Sequence, residues 1–212
     1  MLRSVFIFIL AFSLLSVMTP LSAQAPDGWR VRIDRSQNAS DPDDVADLKV
    51  ATVGKGFRAT GGPAGTFWNP ANRATGNFTA RATFNLMKPS GHTNYYGLVF
   101  GGADLEGAAQ KYVYFMVAQD GTFMIRSRVG EQVQDVQART PHASIGRPGA
   151  DGRSTNTLEV RVAGNTISYV VNGTVVHSGS KSGATATTDG LVGVRINHVL
   201  DVQVENFEVV RQ

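Results

Sequence analysis

The sequence predicts an all-β protein in which two antiparallel sheets pack face to face. Short segments of alternating apolar and polar residues recur about every 8 to 12 residues, and turn dipeptides such as Asn-Gly, Asp-Gly and Gly-Asn join them. No useful length after the N-terminal segment has apolar residues at helical spacing. The 23 glycines and the low charged fraction of 17% suit a chain rich in tight turns. About a dozen strands would be unusual in one open sheet, which favours two packed sheets.

The clearest strand signal lies in residues 155–178, TNTLEVRVAGNTISYVVNGTVVHS. Apolar residues take every second position on both sides of Gly164-Asn165, and a second turn follows at Asn172-Gly173. These residue types accept the positive φ that the tight turns of hairpins require. The segment is therefore predicted to form two successive hairpins.

The remaining predicted strands follow at regular intervals along the chain. They cover residues 27–33, 48–53, 56–60, 65–68, 77–87, 95–101, 112–118, 122–128, 132–137, 190–196 and 202–210. Residues 77–87 are apolar on one face only, whereas 95–101 and 112–118 are apolar or aromatic on both faces, as expected of central strands. Residues 36–47 and 140–154 are predicted loops, with at most one helical turn near 43–47.

The N terminus has the layout of a secretory signal peptide covering residues 1–23. Arg3 precedes an apolar run over residues 5–17, and small residues follow at Ser22-Ala23. The run is shorter than the ~20 apolar residues that span a bilayer, although a retained membrane anchor is the alternative. We therefore expect export to the periplasm or the cell exterior. The chain then divides into the signal peptide, an N-terminal strand and polar loop over 24–47, and a sandwich domain over 48–212.

Composition excludes several classes of protein. A formal net charge of +3, with no basic run, predicts no nucleic-acid partner. The absence of Cys excludes a disulfide-stapled domain and a lipoprotein anchor, so stability must come from sheet packing. We expect no stable membrane insertion once the signal peptide is cleaved.

Two segments carry a family resemblance. NTLEVRVAGNTISYVVNGTVV and the following GLVGVRINHVLDVQVENFEVV, with its Asn206-Phe207 step, resemble the closing half of concanavalin A-like (laminin-G-like) jelly-roll domains. TFWNPAN and NYYGLVFGGADLEGAAQKYVYFMVAQDGTFMIR fit the central strands of the same fold. More narrowly, the chain resembles the secreted bacterial 3-keto-disaccharide hydrolase domains. The resemblance covers about residues 48–212 and implies a two-sheet antiparallel jelly-roll sandwich.

Catalytic patterns of this fold are changed or absent in the sequence. Where enzymatic members of the resembled family carry a Tyr-Glu pair and a Gln-x-His-Gly segment, this chain has Tyr114-Phe115 and residues 195–198, Arg-Ile-Asn-His. A glucanase would need paired carboxylates at period-two spacing on one strand, and none of the five Glu has an Asp two residues later. These departures favour a binding module over an enzyme.

Aromatic and polar residues between Trp68 and Arg195 are the candidates for binding a sugar. Aromatic rings stack on the apolar face of a sugar while polar neighbours hold its hydroxyls, the alternative being that the tyrosines belong to the core. The candidate ligand-binding residues are Trp68, Asn69, Asn94, Tyr95, Tyr96, Arg126 and Arg195.

Histidines and aspartates supply the other candidates. No spacing of the four His suggests a zinc site, and His92 and His198 are the candidates for catalysis. Asp41, Asp43 and Asp44 are candidate Ca²⁺ ligands, with a solvated acidic loop as the alternative, because the Gly and terminal Glu of an EF-hand loop are missing.

The leading hypothesis is a secreted, lectin-like module that recognises an oligo- or polysaccharide on its concave sheet. The first alternative is a glycoside-cleaving enzyme of the 3-keto-disaccharide hydrolase type, which the resemblance implies. The second is a structural or protein-interaction domain of the cell envelope, for which an exposed apolar patch at Phe67-Trp68 would be the site.

Overall fold

The computed structural model describes residues 25–212 except 37, 39 and 45, so the predicted signal peptide lies outside the described residues. Within them, no helix is long and apolar enough to cross a membrane. In chain order the strands are β1 (Arg30–Asp34), β2 (Lys49–Val53), β3 (Gly56–Thr60), β4 (Ala64–Ala74), β5 (Phe78–Lys88), β6 (Tyr95–Ala103), β7 (Lys111–Ala118), β8 (Thr122–Val129), β9 (Gln132–Pro141), β10 (Ser154–Ala163), β11 (Thr166–Val171), β12 (Thr174–Ser180), β13 (Gly190–Ile196) and β14 (Asp201–Arg211). Short 3-10 turns lie at Pro42–Asp44 and Gly183–Thr185.

The strands form two seven-stranded antiparallel sheets, which confirms the predicted jelly-roll sandwich. The first sheet has the order β1-β4-β13-β6-β7-β8-β9, and the second has the order β12-β11-β10-β5-β14-β3-β2. Strands distant in sequence are therefore neighbours in each sheet. Such non-local pairing brings the start, middle and end of the chain to one surface.

The two predicted hairpins form as expected. Gly164 has a φ of +56°, and Asn172 and Gly173 have φ of +50° and +84° at the second turn. In the first hairpin Val160 pairs with Tyr169, in the register that this turn requires. The side chain of Asn172 also accepts a hydrogen bond from the Thr157 amide at 2.8 Å, which holds the turn against β10.

The core lies between the sheets and follows the predicted alternation. On β5 the five apolar side chains of one face are fully buried, namely Phe78, Ala80, Ala82, Phe84 and Leu86. They pack on the inward side chains of the first sheet, including Tyr96, Leu98 and Phe115. Burying a Phe or Leu side chain contributes about 1.5–3 kcal/mol.

The structure extends two predicted elements. The predicted strand 65–68 continues through Asn69-Pro70 to Ala74, and its register with β13 shifts between Leu191 and Gly193. A Pro is tolerated where a bulge interrupts the ladder. β1 pairs with β4 along its whole length, so the predicted N-terminal strand is part of the first sheet.

The Asn206-Phe207 step of the last strand is a β-bulge. Asn206 has a φ of +51°, and the register of β14 with β5 shifts between Glu205 and Glu208. Asn tolerates this left-handed conformation better than most residues. The bulge accompanies an aromatic contact in which the rings of Phe207 and Trp29 lie 5.1 Å apart. The Asn206-Phe207 step of the resemblance therefore has a structural role, because it forms the bulge and accompanies the contact of Phe207 with Trp29.

Candidate functional site

A second apolar cluster lies on the side of the first sheet that faces away from the core. It exists because β6 and β7 are apolar on both faces, with Tyr96 and Leu98 pointing into the core and Tyr95 and Val99 pointing the other way. We call this surface the outer face. Its cluster consists of Trp68, Tyr95, Val99, Leu105, Tyr112, Tyr114, Met116, Ala118 and Met124.

An arginine network centred on Asp34 borders the aromatic residues of the outer face. Nη1 of Arg195 donates to Asp34 Oδ2 at 2.5 Å and to Thr66 Oγ1 at 2.8 Å. Nε of Arg32 donates to Asp34 Oδ1 at 2.9 Å, and Nη1 of Arg128 lies 3.5 Å from Oδ2. Asp34 thus holds three guanidinium groups in place along β1, β8 and β13.

The charges of this network are set by burial and by the arginines together. Burial raises the pKa of Asp34, but Arg195, Arg32 and Arg128 outweigh it, so the pKa lies below the ordinary value. Asp34 is therefore ionised at neutral pH and is unsuited to act as a general acid. Burial raises the pKa of Tyr114, whose ring lies 5.9 Å from the Arg195 guanidinium carbon. Tyr114 therefore presents a neutral hydroxyl.

Two clefts open at the rim of the outer face. The larger, of about 500 Å³, is lined by β1, β8 and the β6–β7 loop, and its lining includes Arg32, Asp34, Gln110 and Arg128. Gln110 is buried, and its Oε1 has no hydrogen-bond partner among the described residues. The smaller cleft, of about 180 Å³, has Trp68 in its lining, although Trp68 is only 2% exposed. Solvent therefore reaches the arginine network through the larger cleft, whereas the aromatic cluster is almost fully buried.

The structure brings four of the predicted ligand-binding residues to the outer face. Trp68, Tyr95 and Arg195 are buried there, and the Tyr95 hydroxyl lies 3.3 Å from Thr122 Oγ1. Arg126 is partly exposed, and its Nε donates to Asp135 Oδ1 at 2.5 Å. Trp68 is less exposed than its position beside Asn69-Pro70 suggested, because β4 continues past that point.

The other three predicted ligand-binding residues lie elsewhere in the structure. Tyr96 is in the sandwich core, where its hydroxyl accepts a hydrogen bond from Asn156 Nδ2 at 3.1 Å, because alternation places it opposite Tyr95. Asn69 uses its side-chain oxygen to accept the Ala71 amide hydrogen at 2.9 Å in the β4 bulge. Asn94 is buried and donates to Ser90 Oγ at 3.2 Å, within the β5–β6 loop.

The two candidate histidines and one candidate aspartate meet at an edge of the sandwich. Oδ2 of Asp43 lies 3.2 Å from Nε2 of His92 and 3.6 Å from Nε2 of His198. We call these three residues the Asp-His-His cluster. Asp41 and Asp44 have other roles: Asp41 Oδ1 accepts the Asp43 amide hydrogen at 3.0 Å, and Asp44 Oδ2 accepts that of Ser36. Among the described residues, Asp43 therefore groups with the two histidines, and Asp41 and Asp44 are not members of that group.

Sequence reasoning left several residues of the outer face out of the candidate set. Arg128 stands two residues after Arg126 on β8, so period two alone places both on one face. Asp34 and Gln110 carry no local signal, because only the pairing of β1 with β4 and the folding of the β6–β7 loop bring them to the cleft.

Comparison with known proteins gives structural likeness only. No protein-family model matches the chain, and no curated protein sequence matches it. The carbohydrate-binding module CBM66 from Bacillus subtilis superposes with a TM-score of 0.61 at 11% identity, covering 86% of this chain and 95% of that one. A Bacillus subtilis protein of unknown function with a galectin-like fold gives 0.60 at 13% identity, covering 87% and 90%. A GH16 protein of Bacteroides ovatus, in complex with a glucan product, gives 0.56 at 10% identity, covering 86% and 94%.

At such low sequence identities, likeness of structure identifies a fold and leaves the activity open. The three alignments cover at least 86% of this chain and at least 90% of each similar structure. The chain has the concanavalin A-like jelly-roll fold that its sequence resembles.

Proposed function

We propose that the protein binds an oligo- or polysaccharide at the outer face of the first sheet. The observation that carries the proposal is the juxtaposition of an aromatic cluster with the arginine network around Asp34. Ligand sites combine apolar and aromatic surface with a few convergent polar groups, and the outer face has both. The fold supports the proposal, since a carbohydrate-binding module is among the similar structures.

The sugar would enter the site through the larger cleft. Arg32 and Arg128 retain 25% and 19% of their side-chain exposure there, and Asp34 holds both in position. Gln110 contributes an acceptor that lacks a donor within the described part of the chain. Because a buried acceptor without a partner is costly, a sugar hydroxyl that donates to Gln110 would be favoured. The arginines would donate to the sugar's oxygens.

The charge balance of the cleft leaves an excess of positive charge. Its lining holds Arg32, Arg35 and Arg128 against the carboxylates of Asp34 and Glu131, and Arg195 also shares Asp34. The guanidinium groups can therefore donate hydrogen bonds both to sugar hydroxyls and to the carboxylates of uronic acids. Binding of an acidic polysaccharide should accordingly weaken as the salt concentration rises.

The test is binding of the purified protein to a panel of neutral and uronic-acid-containing polysaccharides, followed by calorimetry with the best ligand. Arg128→Met and Gln110→Leu each remove a polar group of the cleft and should raise Kd about tenfold or more. Arg161→Met is the matched control, because Arg161 lies on the second sheet and pairs with Glu159. Binding to no polysaccharide, with or without Ca²⁺, would refute the proposal, and so would binding that neither cleft variant weakens.

The alternatives from the sequence remain predictions, except for one surface. The patch at Phe67-Trp68, expected for an envelope interaction domain, is not exposed, because Phe67 points into the core and Trp68 is buried on the outer face. Activity on 3-keto-glycosides rests on the resemblance, and incubation with a 3-keto-glucoside tests it. Export to the periplasm or cell exterior is likewise a proposal. Mass spectrometry of the secreted chain should then find Gln24 at its N terminus.

A further inference from the structure

We propose that Asp43, His92 and His198 form a binding site for a first-row divalent transition metal, with Zn²⁺ as the reference ion. Among the described residues, these are the three His, Cys, Asp or Glu side chains whose ligand atoms lie near enough to one another to hold a metal ion. The three residues come from the 3-10 turn Pro42–Asp44, the β5–β6 loop and the β13–β14 loop. Spacing along the sequence therefore gives no hint of the site.

The distances of the Asp-His-His cluster fit a single bound ion. Its three ligand atoms all lie within 4.8 Å of one another. The two measured contacts of Asp43, at 3.2 Å and 3.6 Å, both involve Nε2 of a histidine. Bonds of about 2.0–2.2 Å place neighbouring ligand atoms of a tetrahedral zinc ion roughly 3.4 Å apart. Only small side-chain shifts are needed to coordinate a metal.

The ligand chemistry selects the class of metal. Two imidazoles and one carboxylate suit zinc and its neighbours in the first transition row. Calcium takes oxygen ligands, so this cluster does not fit the calcium ion considered for the aspartates. His92 keeps 52% of its side-chain exposure, and His198 keeps 33%. Water or another ligand can therefore complete the coordination, as in zinc sites with three protein ligands.

Each loop that supplies a ligand is tied to the fold by hydrogen bonds. Next to Asp43, the Asp44 carbonyl accepts a hydrogen bond at 2.9 Å from Nη1 of Arg35, the residue that follows β1. In the loop of His92, the Ser90 amide donates to Gln119 Oε1 at 3.1 Å. In the loop of His198, the Asn197 amide donates to the Tyr95 carbonyl at 2.9 Å. These bonds hold the three ligands in place without a metal, which lowers the ordering cost of binding one.

A strained backbone residue adjoins the cluster and provides an independent indication of function. Val199, which directly follows His198, has a φ of +52°. A β-branched residue in this left-handed region is a conformational outlier, and such outliers concentrate at ligand sites. The Val199 amide donates to the Gly62 carbonyl at 3.0 Å, which holds the conformation.

One contact competes with the metal. Nδ2 of Asn94 lies 3.0 Å from Nε2 of His92, the nitrogen that faces Asp43. A metal ion would take the lone pair that accepts this hydrogen bond. The Asn94 amide also donates to Ser90 Oγ, so it retains a partner when the metal binds.

The experiment is calorimetric titration of tag-free, chelator-treated protein with ZnCl₂ in the absence of sugar, together with the visible absorption spectrum of the Co²⁺-loaded protein. One ion per chain is expected. Asp43→Asn, His92→Gln and His198→Gln should each raise the Kd for Zn²⁺ about 100-fold or more. Loss of a residue that only hydrogen-bonds to a metal ligand already lowers affinity roughly 10- to 100-fold. His142→Gln is the control, because His142 lies in another loop and contacts Ser144 at 2.8 Å. This control variant should bind like the wild type.

Two results would overturn the site: no Zn²⁺ binding at about 100 µM ion, or binding that persists in all three ligand variants. Circular dichroism establishes that each variant is folded before titration. His92 is the most exposed ligand, so its variant decides the outcome if another ligand variant loses structure. Because no sugar is present, failure of the metal site leaves the proposed glycan binding untouched.

Discussion

Replacing Asp34 with Asn tests how much the arginine network stabilises the fold. Asp34 and Arg195 retain only 12% and 10% of their side-chain exposure, so the ion pair lies largely out of water. Asn keeps the size of the side chain but removes the charge that Arg32, Arg128 and Arg195 share. The substitution leaves the buried Arg195 guanidinium without a counter-charge, although Thr66 and Tyr112 still accept hydrogen bonds from it.

Asp34→Asn should lower the free energy of unfolding by about 3 kcal/mol. This is the low end of the roughly 3–5 kcal/mol that is lost when one partner of a buried ion pair is removed. The low end applies because the Asn carbonyl still accepts a hydrogen bond. For a chain of this length, this loss lowers Tm by about 6–12 °C. Urea unfolding followed by tryptophan fluorescence measures the free energy, and thermal circular dichroism measures Tm.

Asp135→Asn is the matched control on the same sheet. Asp135 pairs with Arg126, but the two side chains are 50% and 38% exposed, so the loss should stay below about 1 kcal/mol. Adding Arg195→Met to Asp34→Asn should restore part of the stability, because it removes the unpaired cation. If Asp34→Asn costs no more than Asp135→Asn, the reasoning about a buried network is wrong.

Three further outcomes follow from the structure. The pKa of Asp34 in the folded protein lies below its value near 3.8 in the unfolded chain, so the ionised carboxylate stabilises the fold fully above pH 3.8. This stabilisation is lost as the pH falls through the lower folded-state pKa. The difference in unfolding free energy between wild type and Asp34→Asn should therefore narrow in acid, which urea unfolding at several pH values measures. Tyr96→Phe should cost about 1–2 kcal/mol of stability, because one buried N–H of Asn156 loses its acceptor while Nδ2 still donates to the Gly146 carbonyl. Tyr169→Phe should be neutral or stabilising, since the Tyr169 hydroxyl is buried with no partner in the described part of the chain. Equal losses by urea unfolding would contradict this. Gly97→Ala would place its Cβ 2.1 Å from a carbonyl oxygen of β7 and should cost at least about 2 kcal/mol, whereas a Cβ at Gly91 meets nothing within 4 Å, so Gly91→Ala should leave Tm nearly unchanged.

Most of the fold was predictable because its signals are local. Strand after strand, the alternation of apolar residues marked the buried face, as on β5, and Asn172-Gly173 marked a turn whose positive φ few other residues accept. The exceptions lie where long-range pairing overrides a local signal. Asn69-Pro70 reads as the end of a strand, but pairing of Arg73 and Ala74 with β13 carries β4 past it.

The candidate site was predictable only in part. Period two places Tyr95 and Tyr96 on opposite faces of β6 and places Arg126 and Arg128 on one face of β8. The same rule sends Tyr96 into the core, and only the packing of the second sheet determines which face that is. Asp34 could not be found at all, because it meets Arg195 across 161 residues of sequence.

The sequence by itself determined the class of fold, the positions of the strands and the turns between them, since these depend on φ preferences and on side chains two residues apart. The tertiary structure decided which residues meet. Asp34 joins Arg195, and Asp43 joins His92 and His198, because non-consecutive strands pair and their loops gather at one edge. Contacts of this kind depend on the order of strands in a sheet, which local residue preferences do not encode.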